Sequence, residues 1–128
     1  MKILKFWKPL LLALIIFYGS LTSGSNLNKI NIFQINNIDK LIHLSFYFLL
    51  SISFQSSLLR NTLFNKKQQI LITSILIISY GLMMEVFQFY FTSDRSAELY
   101  DALANTFGCI LGIFIFPFLK KLNLIKYF

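Results

Sequence analysis

Charged residues are scarce in this chain: they make up 13% of its 128 residues, whereas hydrophobic residues make up 56%. Soluble domains usually carry about a quarter charged residues. The deficit argues against a soluble globular domain and predicts a protein embedded in lipid. Because one transmembrane helix needs about 20 mostly apolar residues, the chain has room for four spans, which we expect to form a single domain over residues 1–128.

Cysteine and histidine are rarer still, with one residue of each. Cys109 lies inside an apolar run, so neither a disulfide nor a cysteine-based metal site can form within the chain. A site built from His43, Glu85 and Asp101 would suit a hard cation, but three such residues on three helices match no dedicated ligand motif. We therefore expect no metal and no cofactor.

Acidic residues are also few, five against twelve basic ones, which gives a formal charge of +7. In a soluble protein this balance would suggest nucleic acid as a partner. Here the basic residues flank apolar runs, where they orient helices in a bilayer. We therefore expect a lipid bilayer and no nucleic acid as the partner.

Four apolar runs predict an all-α fold, an integral membrane bundle of four transmembrane helices. The runs extend from about Phe6 to Thr22, from Leu41 to about Leu59, from Ile70 to about Phe91, and from near Glu98 to Lys120 and Lys121. Asp39 is predicted to cap the second helix, and the polar stretch from Asn26 to Asn37 is predicted to be an outer loop.

The first run also has features of a cleaved signal peptide, namely a basic start and small residues after an apolar middle. Its length and the poor cleavage match at Thr22–Gly24 favour a retained helix over cleavage within residues 1–24.

The distribution of lysine and arginine predicts the orientation. With both termini cytoplasmic, nine of these residues lie on the inner side and three on the outer side, which is a strong positive-inside bias. The inner set is Lys2, Lys5, Lys8, Arg60, Lys66, Lys67, Lys120, Lys121 and Lys126, and the outer set is Lys29, Lys40 and Arg95.

Under that orientation all five acidic residues and His43 lie in outer loops or in the outer halves of helices. Helical spacing of three or four residues places them on common faces. The three faces are Asp39, His43 and Tyr47; Glu85 and Gln88; and Asp101, Asn105, Gly108 and Gly112. The two glycines predict a close helix approach. Ionisable groups inside a membrane usually mark a functional site, so we predict a polar pocket near the outer surface.

Several of these positions, in this order, resemble the VanZ-like family of bacterial membrane proteins. They are Asp39 to His43 with Tyr47, then Gly81, Glu85 and Gln88, then Arg95, Asp101, Ala104, Asn105, Gly108 and Gly112. The resemblance is strongest over residues 39–112. It implies a compact four-helix protein of the bacterial plasma membrane, in a family whose namesake confers teicoplanin resistance.

Three functions use the same residues. The first is binding of an envelope lipid, a cell-wall precursor or a lipoglycopeptide, with a role in teicoplanin-type resistance or envelope homeostasis. The second is an enzyme that modifies an envelope lipid or precursor, with His43 as acid or base. The third is a small oligomeric transporter. It is less favoured, because transport sites tend to lie near the midplane of the bilayer and Glu85 is predicted nearer the outer surface.

The candidate residues follow from these hypotheses, and the sequence leaves open whether the protein is an enzyme and how many copies assemble. The catalytic candidates are His43, Glu85 and Asp101. The ligand-binding candidates are Asp39, Lys40, Tyr47, Gln88, Arg95 and Asn105. The alternative is that these groups merely pair with one another and fix helix packing.

Overall fold

A computed structural model describes residues 3–22, 38–60, 63–92 and 98–128. These ranges contain four α-helices and two short 3-10 helices, and all their regular structure is helical. The α-helices are α1 (Trp7–Leu21), α2 (Ile38–Leu59), α3 (Lys66–Phe91) and α4 (Leu99–Lys121), and the 3-10 helices are Ile3–Phe6 and Leu124–Tyr127. The all-α prediction is confirmed.

Three of the four helices are long and apolar enough to cross a membrane. They are α2, α3 and α4, with 22, 26 and 23 residues, whereas α1 is an apolar helix of 15 residues. The outward faces carry large apolar side chains such as Phe114, which is 77% exposed, and Phe118. So much exposed apolar surface indicates contact with lipid.

Two helix starts differ from the sequence prediction. The prediction of Asp39 as a cap is wrong, because α2 begins at Ile38 and Asp39 lies in its first turn. The third helix begins at Lys66 rather than Ile70, since the Asn65 side chain accepts a hydrogen bond from the Gln68 backbone while Gln68 accepts one from Asn65. This reciprocal cap satisfies two donors at the helix start. The predicted outer loop, 26–37, lies outside the described residues.

The most extensive helix contact joins α2 and α4. A Cβ atom added to Gly108 would overlap the carbonyl oxygen of Leu44, and one added to Gly112 would lie 2.8 Å from the Ser51 Cβ. Ser51 Oγ also donates a hydrogen bond of 3.1 Å to the Cys109 carbonyl. The close approach predicted from the two glycines is confirmed.

Helix α1 is attached to the bundle at its first residues and near its middle. Lys5 Nζ donates to the Arg60 carbonyl at 2.6 Å, and Arg60 in turn donates to the Phe128 carbonyl at 3.0 Å. Further along, Tyr80 Oη donates to the Ala13 carbonyl at 2.6 Å. Lys8 Nζ of α1 also donates to the Tyr127 carbonyl at 2.9 Å. Beyond Ala13 the described contact of α1 with the other helices is made by packing.

Candidate functional site

Polar side chains from three helices lie near one end of the bundle. His43 lies five residues after the start of α2 and Asn105 six residues after the start of α4, while Glu85 lies six residues before the end of α3. At 1.5 Å per residue, the three positions are about 7 to 9 Å from the helix ends. They therefore share one level of the bundle.

Asn105 joins the other two residues. Its Oδ1 lies 2.9 Å from His43 Nδ1, and its Nδ2 donates to Glu85 Oε1 at 3.0 Å. The direct distance from His43 Nδ1 to Glu85 Oε1 is 3.9 Å. Through these two contacts the three side chains form one hydrogen-bonded chain. Glu85 and Asn105 are buried in it and His43 is half-buried.

With Glu85 ionised, this chain selects one tautomer of the neutral His43 ring. An ionised carboxylate only accepts hydrogen bonds, so the Asn105 group facing Glu85 is the amide NH2. The Asn105 carbonyl oxygen then faces His43, which must donate from Nδ1. In that neutral tautomer Nε2 keeps the lone pair.

A second polar group surrounds Lys40. Its Nζ lies 3.0 Å from Asp39 Oδ2, 3.1 Å from Glu98 Oε2 and 3.5 Å from Asp101 Oδ1. The three carboxylates have oxygens within 4.8 Å of one another, close enough to hold a cation. The Lys40 ammonium contacts all three, so this side chain supplies positive charge to the cluster. Asp101, predicted as catalytic together with His43 and Glu85, is thus paired with Lys40.

Two further predicted residues have buried side-chain polar atoms that make no hydrogen bond to the described part of the chain. The atoms are the hydroxyl oxygen of Tyr47 and both side-chain amide atoms of Gln88, Oε1 and Nε2. Each residue is 1% exposed. A buried polar atom left without a partner costs about 1 to 3 kcal/mol.

A cavity of about 220 Å³ lies between α1 and α2 at this end of the bundle. Asp39, His43 and Tyr47, spaced four apart on α2, contribute polar groups to its lining. The α1 side is mainly apolar and includes Ile15 and Ile16. The cavity surface is therefore mainly apolar, with a few polar groups on the α2 side, and it reaches the hydrogen-bonded chain through His43.

Eight of the nine predicted site residues lie in the described ranges, and Arg95 lies outside them. The structure brings the eight into three sets: His43, Glu85 and Asn105; Asp39, Lys40 and Asp101; and the buried Tyr47 and Gln88.

The family model described as VanZ/LLP1 matches residues 4–120. The chain belongs to the VanZ/LLP1 family. No curated protein and no solved structure matches it significantly. The resemblance inferred from the polar positions is confirmed, and the family match includes α1 as well as the three longer helices.

Two features of the site in this VanZ/LLP1 member are missed by the sequence reasoning. One is α1 as a cavity wall, although Gly19 and Ser20 provide a signal as small residues near the end of an apolar run. The other is Glu98 as a partner of Lys40. Its position three residues before Asp101 places both carboxylates on one side of α4.

Proposed function

We propose that this VanZ/LLP1 member binds an envelope lipid, or the lipid-like part of a glycopeptide-type ligand, in the cavity between α1 and α2. Through this binding it contributes to teicoplanin-type resistance or to envelope homeostasis. The observation that carries the proposal is that His43 both lines the cavity and contacts Asn105 in the buried chain. A ligand headgroup at His43 would reach polar atoms, while its hydrocarbon part would contact Ile15 and Ile16.

The size of the cavity supports one kind of occupant. Sites for drug-sized ligands occupy about 300 to 1,000 Å³, and this cavity is smaller, at about 220 Å³. A whole glycopeptide is too large for it. A headgroup or a segment of one acyl chain is the part of such a ligand that we expect to enter.

We place the protein in the bacterial inner membrane with four spans, both termini cytoplasmic and the cavity near the outer leaflet. The bias of nine inner against three outer basic residues supports this orientation. Envelope lipids, cell-wall precursors and glycopeptides are all encountered at that face. The family's association with teicoplanin resistance supports the same location.

Gly19 offers a direct test, because it lines the cavity and a Cβ added there would meet no atom within 4 Å. Gly19→Leu should therefore fill the cavity without displacing its neighbours. Leu14→Phe is the matched control, since Leu14 is 65% exposed and does not line the cavity. Teicoplanin susceptibility would be measured in a sensitive bacterium expressing wild type, Gly19→Leu, Leu14→Phe or His43→Ala, with membrane levels checked by blot.

We expect wild type and Leu14→Phe to raise the tolerated teicoplanin concentration, and Gly19→Leu and His43→Ala to accumulate normally without protecting. Equal protection by all four proteins would show that the cavity has no part in resistance. Loss of protection in Leu14→Phe alone would indicate that resistance depends on the lipid-facing side of α1 and not on the cavity.

Catalysis is a second candidate, favoured by the Asn105 contact that leaves the lone pair of the neutral His43 ring on Nε2. His43 would then act as acid or base on an envelope lipid or precursor, in the manner of a general acid–base residue. Comparing envelope lipids by mass spectrometry from cells expressing wild type or His43→Ala separates the two candidates. A new lipid species that requires His43 indicates an enzyme, and an unchanged lipid profile together with protection indicates binding.

A further inference from the structure

A separate cavity of about 300 Å³ lies at the opposite end of the bundle, between α2, α3 and α4. One of its lining residues, Gln55, comes twelve residues after His43 on α2. At 1.5 Å per residue this places it about 18 Å along the helix from the His43 level. The cavity is therefore distinct from the site described above, and none of the sequence predictions concerns it.

Gln55 is 3% exposed, and its Nε2 makes no hydrogen bond to the described part of the protein. A buried amide NH2 has two hydrogens to donate, and leaving it unsatisfied is costly. The cavity lining thus includes a donor that lacks an acceptor. An oxygen-rich group is the chemical complement of such a donor.

Two lysines, Lys66 at the start of α3 and Lys120 at the end of α4, also line this cavity. Within the described ranges neither lies within 4 Å of a carboxylate, since every ion pair there involves Lys40 or His43. The acidic residues Asp39, Glu85, Glu98 and Asp101 all lie near the other end of the bundle. Among the described residues, the charge around this cavity is therefore positive, with no acidic group within 4 Å of either lysine.

The remaining lining residues are mainly apolar and face the lipid as well as the cavity. Ile70 is 37% exposed and Pro117 is exposed, and both contribute to the lining together with Phe116 and Ile113. Apolar walls suit the glycerol and acyl part of a lipid. Apolar side chains provide neither a charge nor a hydrogen-bond donor for a soluble anion.

We propose that this cavity binds the phosphate headgroup of an anionic phospholipid from the leaflet at this end, which is the cytoplasmic leaflet under the positive-inside orientation. Gln55 Nε2 donates a hydrogen bond to the phosphate, Lys66 and Lys120 neutralise it, and the apolar walls hold the first carbons of the acyl chains. Basic pockets between transmembrane helices on the cytoplasmic side are known to hold such headgroups. The inference does not depend on the function proposed for the outer cavity.

Native mass spectrometry of the full chain in detergent, titrated with phosphatidylglycerol or phosphatidylcholine, tests the proposal. Wild type would be compared with the double variant Lys66→Gln/Lys120→Gln. The matched control is Lys67→Gln/Lys121→Gln, which removes the same charge from neighbouring lysines that do not line the cavity. Gln55→Leu tests the amide without changing charge, and glycerol phosphate serves as a soluble competitor.

We expect wild type and the Lys67/Lys121 control to retain phosphatidylglycerol in preference to phosphatidylcholine. A single lysine near a membrane surface contributes about a fivefold gain in affinity, so Lys66→Gln/Lys120→Gln should weaken phosphatidylglycerol binding by about tenfold or more. Gln55→Leu should also weaken it, with an unchanged melting temperature. If Gln55→Leu does not fold, the comparison of the two lysine double variants still tests whether the headgroup binds in this cavity.

Three results would overturn the proposal. Equal losses in both lysine pairs would indicate general electrostatic attraction. Equal retention of phosphatidylcholine would indicate an apolar groove with no headgroup site. Displacement of the lipid by glycerol phosphate would indicate a site for a soluble anion.

Discussion

Gly108 of α4 lies so close to Leu44 of α2 that a Cβ atom at Gly108 would overlap the Leu44 carbonyl oxygen. The obstacle is backbone, which cannot rotate away as a side chain can. The contact between α2 and α4, which determines the distance between His43 and Asn105, therefore depends on a position without a side chain. Replacing this glycine should force the two helices apart.

Gly108→Ala should lower the stability of the protein by about 1 to 3 kcal/mol, because overpacking displaces backbone. Gly19→Ala is the matched control, since nothing lies within 4 Å of the added Cβ. It should leave stability unchanged or raise it by up to about 1 kcal/mol, as alanine favours helix over glycine. Thermal unfolding of both variants in detergent would measure this, and an equal loss in both would contradict the close approach.

Asn105→Ala should destabilise the bundle by about 1 to 3 kcal/mol, because buried groups of His43 and Glu85 lose a hydrogen-bond partner. Thr106→Ala provides the control on the same helix. Thr106 Oγ1 bonds only the Ala102 carbonyl of its own helix, and its removal should change stability by less than about 0.5 kcal/mol. Denaturation in detergent would compare the two, and similar values would count against a buried network centred on Asn105.

Lys40→Met should destabilise the end of the bundle that contains His43, since it leaves the buried Asp101 carboxylate and its neighbours without their cation. The contact with Asp101 is an ion pair at 3.5 Å, and Lys40 donates hydrogen bonds to the partly exposed Asp39 and Glu98. We expect a loss of about 1 to 3 kcal/mol, because a buried carboxylate loses its cation while exposed pairs contribute little. Lys40→Met combined with Asp101→Asn should recover part of the loss because one negative charge is gone. Lys67→Met, on an exposed side chain, should have no such effect, and failure of the double variant to recover would argue against charge as the cause.

Tyr47→Phe and Tyr80→Phe should differ although both remove one hydroxyl. The Tyr47 hydroxyl makes no hydrogen bond in the described part of the protein, so its removal should leave the melting temperature unchanged or raise it. Tyr80 donates to the Ala13 carbonyl at 2.6 Å, so Tyr80→Phe should cost about 1 kcal/mol. If Tyr47 contacts a ligand, Tyr47→Phe should reduce protection against teicoplanin at full stability. A large stability loss in Tyr47→Phe would instead assign that hydroxyl to packing.

The sequence predicts the helices well because apolar length dominates their formation in a membrane. The ends of α3 and α4 are predicted within a residue or two, as polar stretches follow or precede them. The start of α3 is misplaced because Lys66 and Lys67 read as a loop, whereas the cap formed by Asn65 and Gln68 extends the helix to include them.

Side-chain contacts between helices are harder to infer. Spacing places His43, Glu85 and Asn105 on polar faces, but the rotation of each helix about its axis decides which of these groups meet. The spacing places Asp101 on the same face of α4 as Asn105, yet Asp101 lies one turn nearer the start of α4 and pairs with Lys40. The contribution of α1 to the cavity is hard to infer, because its apolar side chains carry no directional signal and the small residues Gly19 and Ser20 are the one indication.

The attachment of α1 has a consequence for access to the cavity between α1 and α2. In the described ranges, the hydrogen bonds that join α1 and the 3-10 helix before it to other helices lie at Lys5, Lys8 and Ala13. Beyond Ala13 the described contact of α1 with the bundle is made by packing. Separating residues 14–21 of α1 from α2 therefore breaks no hydrogen bond between described residues. Under the function proposed above, displacement of this segment would let a lipid enter the cavity laterally from the bilayer, without first passing through water.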